Sequence, residues 1–294
     1  MVLSASLLLA SLVVSAAAEA WPGSPDWPLV PGLMGYNALP VLPNVDPVIG
    51  TRAEVEVTAA AQVSDLALRD HAVTPYLRLT VPFRETAALE VDGTPIEIWR
   101  TTAATQLRLG ARNRADGTPG DARFGARFLL LRERAGPALG LRLSVKSASG
   151  KGLASRRFTN APGYAIDLLA GKDVGTLGEA RLRALARVGF VSWQFGQNEQ
   201  DDAFAYGATV RATAPSGAAV ELDWRGYAGW RFADRPSVIG LGAIVPVPGG
   251  ELKAAFNAGA SADAPPLELR VGYVWRFEVP ALLRARSAPG PSTP

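Results

Sequence analysis

His71 is the sole histidine in a chain of 294 residues, and Asp70 beside it completes the only acid–imidazole pair. Such a pair works as a general base when the carboxylate orients the imidazole toward a nucleophile or water. Neighbours on a strand face opposite ways, so adjacency in sequence argues poorly for that use. The absence of cysteine excludes a thiol nucleophile, a thiolate metal site, a disulfide scaffold and an acylated-cysteine anchor. Asn198-Glu199-Gln200-Asp201-Asp202 could offer oxygens to calcium but lacks the spaced ligands of a dedicated loop, and reads as a solvated hairpin tip. Ser147-Ala148-Ser149-Gly150-Lys151 carries a Gly–Lys pair without the spacing or the following helix of a phosphate loop. No metal, no cofactor and no enzymatic activity are expected.

A different set of residues recurs with a rhythm. Arg78, Arg123, Arg127, Arg142, Lys146, Arg183, Arg187, Arg211, Arg225 and Arg270 sit at alternate positions within segments of about ten residues. The residues between them are apolar. In 120–131, Ala122, Phe124, Ala126, Phe128 and Leu130 alternate with Asp121, Arg123, Gly125 and Arg127. In 137–147, Leu139, Leu141, Leu143 and Val145 alternate with Gly140, Arg142, Ser144 and Lys146. Segments 52–62, 76–84, 163–171, 181–194, 203–213, 218–230, 238–246, 252–260 and 267–277 repeat the scheme, and 86–91 is a weaker one. About twelve strands are predicted, separated by Gly, Pro, Asp and Asn clusters. Segment 179–190 also fits a helix, although its alternation is equally regular.

Alternation fits both a soluble sandwich and a membrane barrel, which is its inside-out version. The polar face here is rich in Arg and Gly and poor in Lys, which suits a crowded interior better than a wet strand surface. Connections alternate between long (63–73, 92–119, 148–162) and short (132–135, 214–217, 247–250), as outer loops and periplasmic turns do; 172–180 is too long for its place. Phe83, Trp193, Trp230, Trp275 and Phe277 lie near strand ends, where interfacial rings collect. The predicted fold is therefore all-β, a closed antiparallel transmembrane β-barrel of about 12 strands in the bacterial outer membrane. Within it Asp70-His71 falls in an external loop.

The last segment, Leu267 through Phe277, resembles the terminal signal read by the barrel-assembly machinery, with Arg270, Gly272, Trp275 and Phe277 at its polar, glycine and aromatic positions. The chain as a whole looks like a Gram-negative outer-membrane β-barrel. More loosely, it resembles porin-like transporters, including those associated with phenol-degradation pathways. The motifs are Gly120-Asp121-Ala122-Arg123-Phe124-Gly125, Leu143-Ser144-Val145-Lys146-Ser147-Ala148-Ser149-Gly150 and Pro162-Gly163-Tyr164-Ala165-Ile166-Asp167. The resemblance implies architecture and names no substrate.

Around the barrel, 51–278, three further segments are expected. Residues 1–20 read as a secretory signal, with Ala18-Glu19-Ala20 as a small-x-small cleavage site, although no basic residue precedes the apolar run. Residues 21–50 are too rich in proline for helix or inner strand, and could fill the lumen as a plug. Residues 279–294 read as a disordered tail.

Among inward positions, basic residues outnumber acidic ones about two to one. They either form a ring of fixed positive charge favouring anions or pair across neighbouring strands and stiffen the wall. The expected role is a porin-like channel for small solutes; the alternatives are a barrel enzyme acting on lipid or peptide and a non-conducting structural barrel. Expected partners are membrane lipid, lipopolysaccharide (through Lys151, Arg156 and Arg157) and a small-molecule solute. A formal charge of +3 is too small to point to nucleic acid.

Overall fold

The alternating segments do form strands, and the strands close on themselves. The computed structural model describes residue 34 and residues 40–65, 70–157, 161–196, 199–231 and 233–278. The signal segment 1–20, most of 21–50 and the tail 279–294 lie outside the described residues. The first seven strands are β1 (Arg52–Asp65), β2 (Asp70–Phe83), β3 (Ala87–Gly93), β4 (Glu97–Arg100), β5 (Ala115–Thr118), β6 (Ala122–Leu131) and β7 (Ala138–Lys146). Then follow β8 (Gly163–Leu177), β9 (Ala180–Gly196), β10 (Glu199–Thr213), β11 (Ala219–Gly229), β12 (Ser237–Val247), β13 (Gly250–Gly259) and β14 (Leu267–Glu278).

Twelve of these form a closed antiparallel barrel, in which each strand pairs with its neighbours in sequence once β4 and β5 are set aside. β1 pairs β2 on one side and β14 on the other, the second seam running from Arg52↔Glu278 to Val63↔Leu267. The ring leaves no edge to meet hydrocarbon with unpaired amides. Among the described residues no helix is long and apolar enough to cross a membrane. β4 and β5 form a hairpin that continues the sheet above β2 through His71↔Arg100 to Val73↔Ile98. Between them runs α1 (Ala103–Leu109), whose first turn is capped by Thr102 accepting the Thr105 N–H.

Side-chain burial is inverted relative to a soluble domain. Leu77, Leu79, Phe128, Leu143, Ile166, Val188, Leu222 and Val271 are exposed, whereas Arg142, Arg187, Glu90, Asp167 and Glu268 are buried. The apolar face therefore points outward and the guanidiniums inward. The short turns fall at the end where β1 begins and β14 finishes, including Gly178-Glu179, and those at Gly217 and Gly249 use left-handed glycines at φ 84° and 82°.

Several expectations change. The connection 92–119 is not a bare loop, since it holds β4, α1 and β5. Residues 172–177 belong to β8, whose register with β9 continues across an irregularity at Asp173/Gly175 to Leu177↔Ala180, which removes the anomalous turn. The same β8 and β10 pairings make 180–196 a strand rather than a helix. Asp70 and His71 sit on β2, not in a loop, because the β1–β2 pairing runs on past the apolar belt to Asp65↔Asp70. Asp201 and Asp202 likewise lie on β10, and Asp201 is buried. Trp193 is no girdle residue: it shares the inward face of β9 with Arg183 and Arg187 and is buried, while Phe83, Trp230, Trp275 and Phe277 are exposed.

Leu143, in the middle of β7, tests the orientation. Leu143→Arg should destabilise the barrel by about 2–4 kcal/mol in lipid vesicles, measured by urea unfolding. A loss within error of zero would contradict a lipid-facing Leu143.

Candidate functional site

Enclosing guanidiniums in a barrel is costly unless each finds a counter-charge. All ten candidate lumen residues do. Glu90 is the hub: Arg78 approaches it at 3.1 Å, Arg142 at 3.1 Å and Arg127 at 3.4 Å. Arg123 pairs with Asp92 and also donates to the Tyr76 hydroxyl at 3.0 Å. Lys146 pairs with Asp121, Arg187 with Asp167 at 3.8 Å, and Arg225 with Asp223. Arg211 meets Glu221 across the β10–β11 ladder, and Arg270 meets Glu268 on its own strand. Arg183 is shared among Asp46, Glu133 at 2.7 Å and Asp173 at 2.9 Å.

Asp46 comes from the Pro-rich segment, and the described part of that segment, 40–50, is threaded through the lumen. Asn44 donates to Thr209 at 3.1 Å, to Asp223 at 2.8 Å and to the Trp224 carbonyl at 3.0 Å. The Asp46 carbonyl accepts from Arg127. Wall glycines make the close approach possible, since a Cβ on Gly140 would stand 2.9 Å from Pro47, and one on Gly207 would collide with the Asn44 amide. Toward the end with the long loops, Leu42 enters an apolar cluster inside the barrel, formed by Ala161, Ala165, Val191, Trp193, Ala203, Ala205 and Tyr227.

The segment hugs the wall from β6 to β11 and leaves space on the other side. One cavity of about 280 Å³ lies between residues 43–46 and the inner faces of β1, β2, β13 and β14. A second, of about 330 Å³, continues from it to the short-turn end, bordered by Arg52, Arg181, Gly217 and Arg276. Asp46, Glu54, Arg127, Arg211 and Lys253 border both.

This partition sorts the ten residues expected to line a selectivity ring. Arg78, Arg127, Arg211 and Arg270 border the cavities. Arg123, Arg142, Lys146, Arg183, Arg187 and Arg225 do not; they are locked into ion pairs and buried. Strand parity places Asp121, Asp167 and Asp223, the partners of Lys146, Arg187 and Arg225, on the inner face, but it misses the acids that hold Arg123, Arg142 and Arg183. Glu90 and Asp92 lie on the weakly patterned β3, and Asp46 and Glu133 lie on irregular segments where no strand parity assigns a face. Charge balance alone could have flagged them, because buried guanidiniums demand carboxylates.

The remaining candidates fall elsewhere. Gly272 faces inward and Trp275 and Phe277 outward on β14, the strand that closes the ring against β1. Of the residues expected to meet lipopolysaccharide, Lys151 is exposed, but Arg157 is buried against Glu97 (2.7 Å), so its charge is spent inside. Arg156 donates to the Leu109 carbonyl at 3.1 Å. Asp70 is buried and accepts the Thr102 N–H at the start of α1, while His71 faces the other way. Among the described residues no three His, Cys, Asp or Glu side chains gather as a metal site.

Two predictions follow from the pairing. Glu90→Gln strips one carboxylate from three guanidiniums and should cost about 3–5 kcal/mol in equilibrium unfolding; a neutral outcome would contradict the hub. On the β6–β7 turn, hydrogen bonds from Arg183 and from the Asp173 N–H hold the Glu133 carboxyl down to about 2. Its contribution is complete above the ordinary value of 4.5 and fades as pH falls through 2. Unfolding of Glu133→Gln should accordingly lack the wild type's loss of stability in that acid range.

No family model and no curated protein sequence matches the chain. Solved structures do match its shape. An outer membrane channel from Pseudomonas putida F1 is 14% identical with a TM-score of 0.59, over 82% of this chain and 98% of that one. A KdgM porin is 9% identical with a TM-score of 0.50, over 76% of this chain and 99% of that one. Sequence identity this low carries the architecture alone. Joined to the apolar exterior and the closed ring, it makes this chain a twelve-stranded bacterial outer-membrane β-barrel.

Proposed function

We propose that the protein is a porin-like channel for passive passage of small solutes, with segment 40–50 as a fixed partition that confines the path to the crescent beside β1, β2, β13 and β14. The observation that carries this reading is the pair of adjoining cavities left between that segment and the opposite wall. Their lining supports a preference for anions. At the short-turn mouth the basic side chains Arg52, Arg127, Arg181, Arg211, Lys253 and Arg276 outnumber the bordering acids Asp46, Glu54 and Glu251, and each also pairs with a carboxylate, so the preference rests on which partner lies nearer the path. A place among porin-like transporters, the phenol-degradation group included, is part of the same proposal and rests on the motifs at 120–125, 143–150 and 162–167.

A second reading, a closed structural barrel, is favoured by one observation: Leu42 fills the apolar cluster on the external side and narrows the way out.

Planar-bilayer recordings decide between them. The wild type should conduct, with a reversal potential on the anion side in a salt gradient. Arg211→Glu combined with Lys253→Glu should move that potential toward cations, whereas Arg142→Ala, behind the segment, should leave it unchanged. Deleting 21–50 should raise conductance several-fold. A silent wild type that opens only on this deletion would favour the closed barrel, and a deletion without effect would remove the partition.

A further inference from the structure

Counter-charges run out at one place on the outside of the barrel. At the short-turn end the exposed cations Arg52, Arg132, Arg181 and Arg276 each sit beside a carboxylate, at 3.1, 3.8, 3.6 and 2.9 Å. At the long-loop end Arg100, Arg108, Arg112 and Arg114 are exposed, and among the described residues none of them has a carboxylate partner. Between Ile98 and Gly117 the one acid is Asp116, whose oxygens accept the Gly117 N–H at 2.8 Å and the Asn113 amide at 3.4 Å. The projection formed by β4, α1 and β5 holds these arginines together. Arg100 ends β4, paired with Ala115 on β5, and the N–H of Thr101 beside it donates to the Arg114 carbonyl at 2.6 Å. Arg112 is tied to α1 through its carbonyl, which accepts the Gln106 side chain at 3.0 Å. Its N–H donates to the Ala154 carbonyl at 2.8 Å.

The strands beneath set the height of this cluster. On β2 the exposed apolar residues run from Phe83 through Leu79 and Leu77 to Val73. Ten rises of about 3.4 Å at a tilt near 40° make about 26 Å, the full depth of an outward apolar band. The next outward position is His71, paired with Arg100, and Arg100 follows the exposed Ile98 on β4. Guanidiniums therefore begin where hydrocarbon stops, on the external side. α1 adds an apolar patch, since Thr105 and Leu109 are buried while Ala103, Ala104 and Leu107 (84% exposed) are turned out beside Arg108. An anion that neutralises arginines at this level carries its charge at the interface and its bulk in the bilayer. Guanidinium recognises phosphate through paired, charge-assisted hydrogen bonds. Several arginines spread over one projection suit a lipid bearing more than one phosphate.

We propose that this projection is a docking surface for lipopolysaccharide, with Arg100, Arg108, Arg112 and Arg114 taking the phosphates of its lipid A while Ile98 and Leu107 lie against its acyl chains. The surface does not depend on whether the barrel conducts. It takes the place of Arg156 and Arg157, whose guanidiniums are held by the Leu109 carbonyl and by Glu97.

The test titrates diphosphoryl lipid A into the full-length barrel, refolded in detergent free of lipopolysaccharide, with binding read by native mass spectrometry. Saturable binding is expected, and the monophosphoryl form should bind several-fold more weakly. Arg100→Gln combined with Arg114→Gln should lower the affinity at least about tenfold, the effect of losing one charge-assisted hydrogen bond. Arg52→Gln, at the opposite end, should leave it unchanged. Arg108→Gln combined with Arg112→Gln alters no strand residue and should also weaken binding, which keeps the test decisive if the first pair fails to assemble. Phosphatidylglycerol serves as the competing anionic lipid, and an equal affinity for it would overturn the lipopolysaccharide assignment. Wild-type affinity in both double variants, or no saturable binding of lipid A, overturns the surface itself.

Discussion

An amide facing hydrocarbon has no water to bond, and the seam between β1 and β14 exists to meet that demand. Twelve residue pairs join the two strands, from Arg52↔Glu278 to Val63↔Leu267, and they convert a curved sheet into a surface without an edge. Once the ring is closed, every spanning residue has only two destinations. Side chains of one parity meet lipid and must be apolar; those of the other parity are confined with one another. Much of the chain's composition follows from that division.

Confinement sets the second constraint, because long cations packed together must be neutralised on the spot. Three guanidiniums share Glu90, and Arg183 draws carboxylates from three separate parts of the chain: a lumen segment, a turn and β8. Most of the strand-to-strand pairs join adjacent strands, and Arg142 reaches from β7 past β6 to Glu90 on β3, so together they brace the wall from within. The segment 40–50 extends the same logic. It takes the place of water beside the β6–β11 wall, supplying Asp46 and Asn44 as partners where the wall presents Arg183, Asp223 and the bare backbone of Gly207. What it leaves uncovered, among the described residues, is the pair of cavities beside β1, β2, β13 and β14.

The period-two pattern made the fold legible to within a few residues, because lipid on one side and charge on the other impose strict alternation. Strand ends were harder to read. Pairing, not hydropathy, carries β2 back to Asp70 and β8 on to Leu177, so residues outside the apolar belt look like loop while remaining in the ladder. The site was legible in half. Parity placed Arg142 and Arg187 inside, but it did not show which carboxylates would answer them, nor that a proline-rich strand-breaker would lie over some arginines and spare others. Trp193 shows the limit of composition: a tryptophan near a strand end belongs to the girdle only when its parity points outward, and this one points in.

Segment 40–50 leads directly into β1, one of the two strands that seal the cylinder. A sealed wall admits nothing sideways, so after closure this stretch could reach its bed only by travelling lengthwise through a bore already crowded with side chains. Closing the last seam around a segment already in place would spare it that passage, and would give assembly an order in which the occupant is laid in first and the vessel is built shut around it.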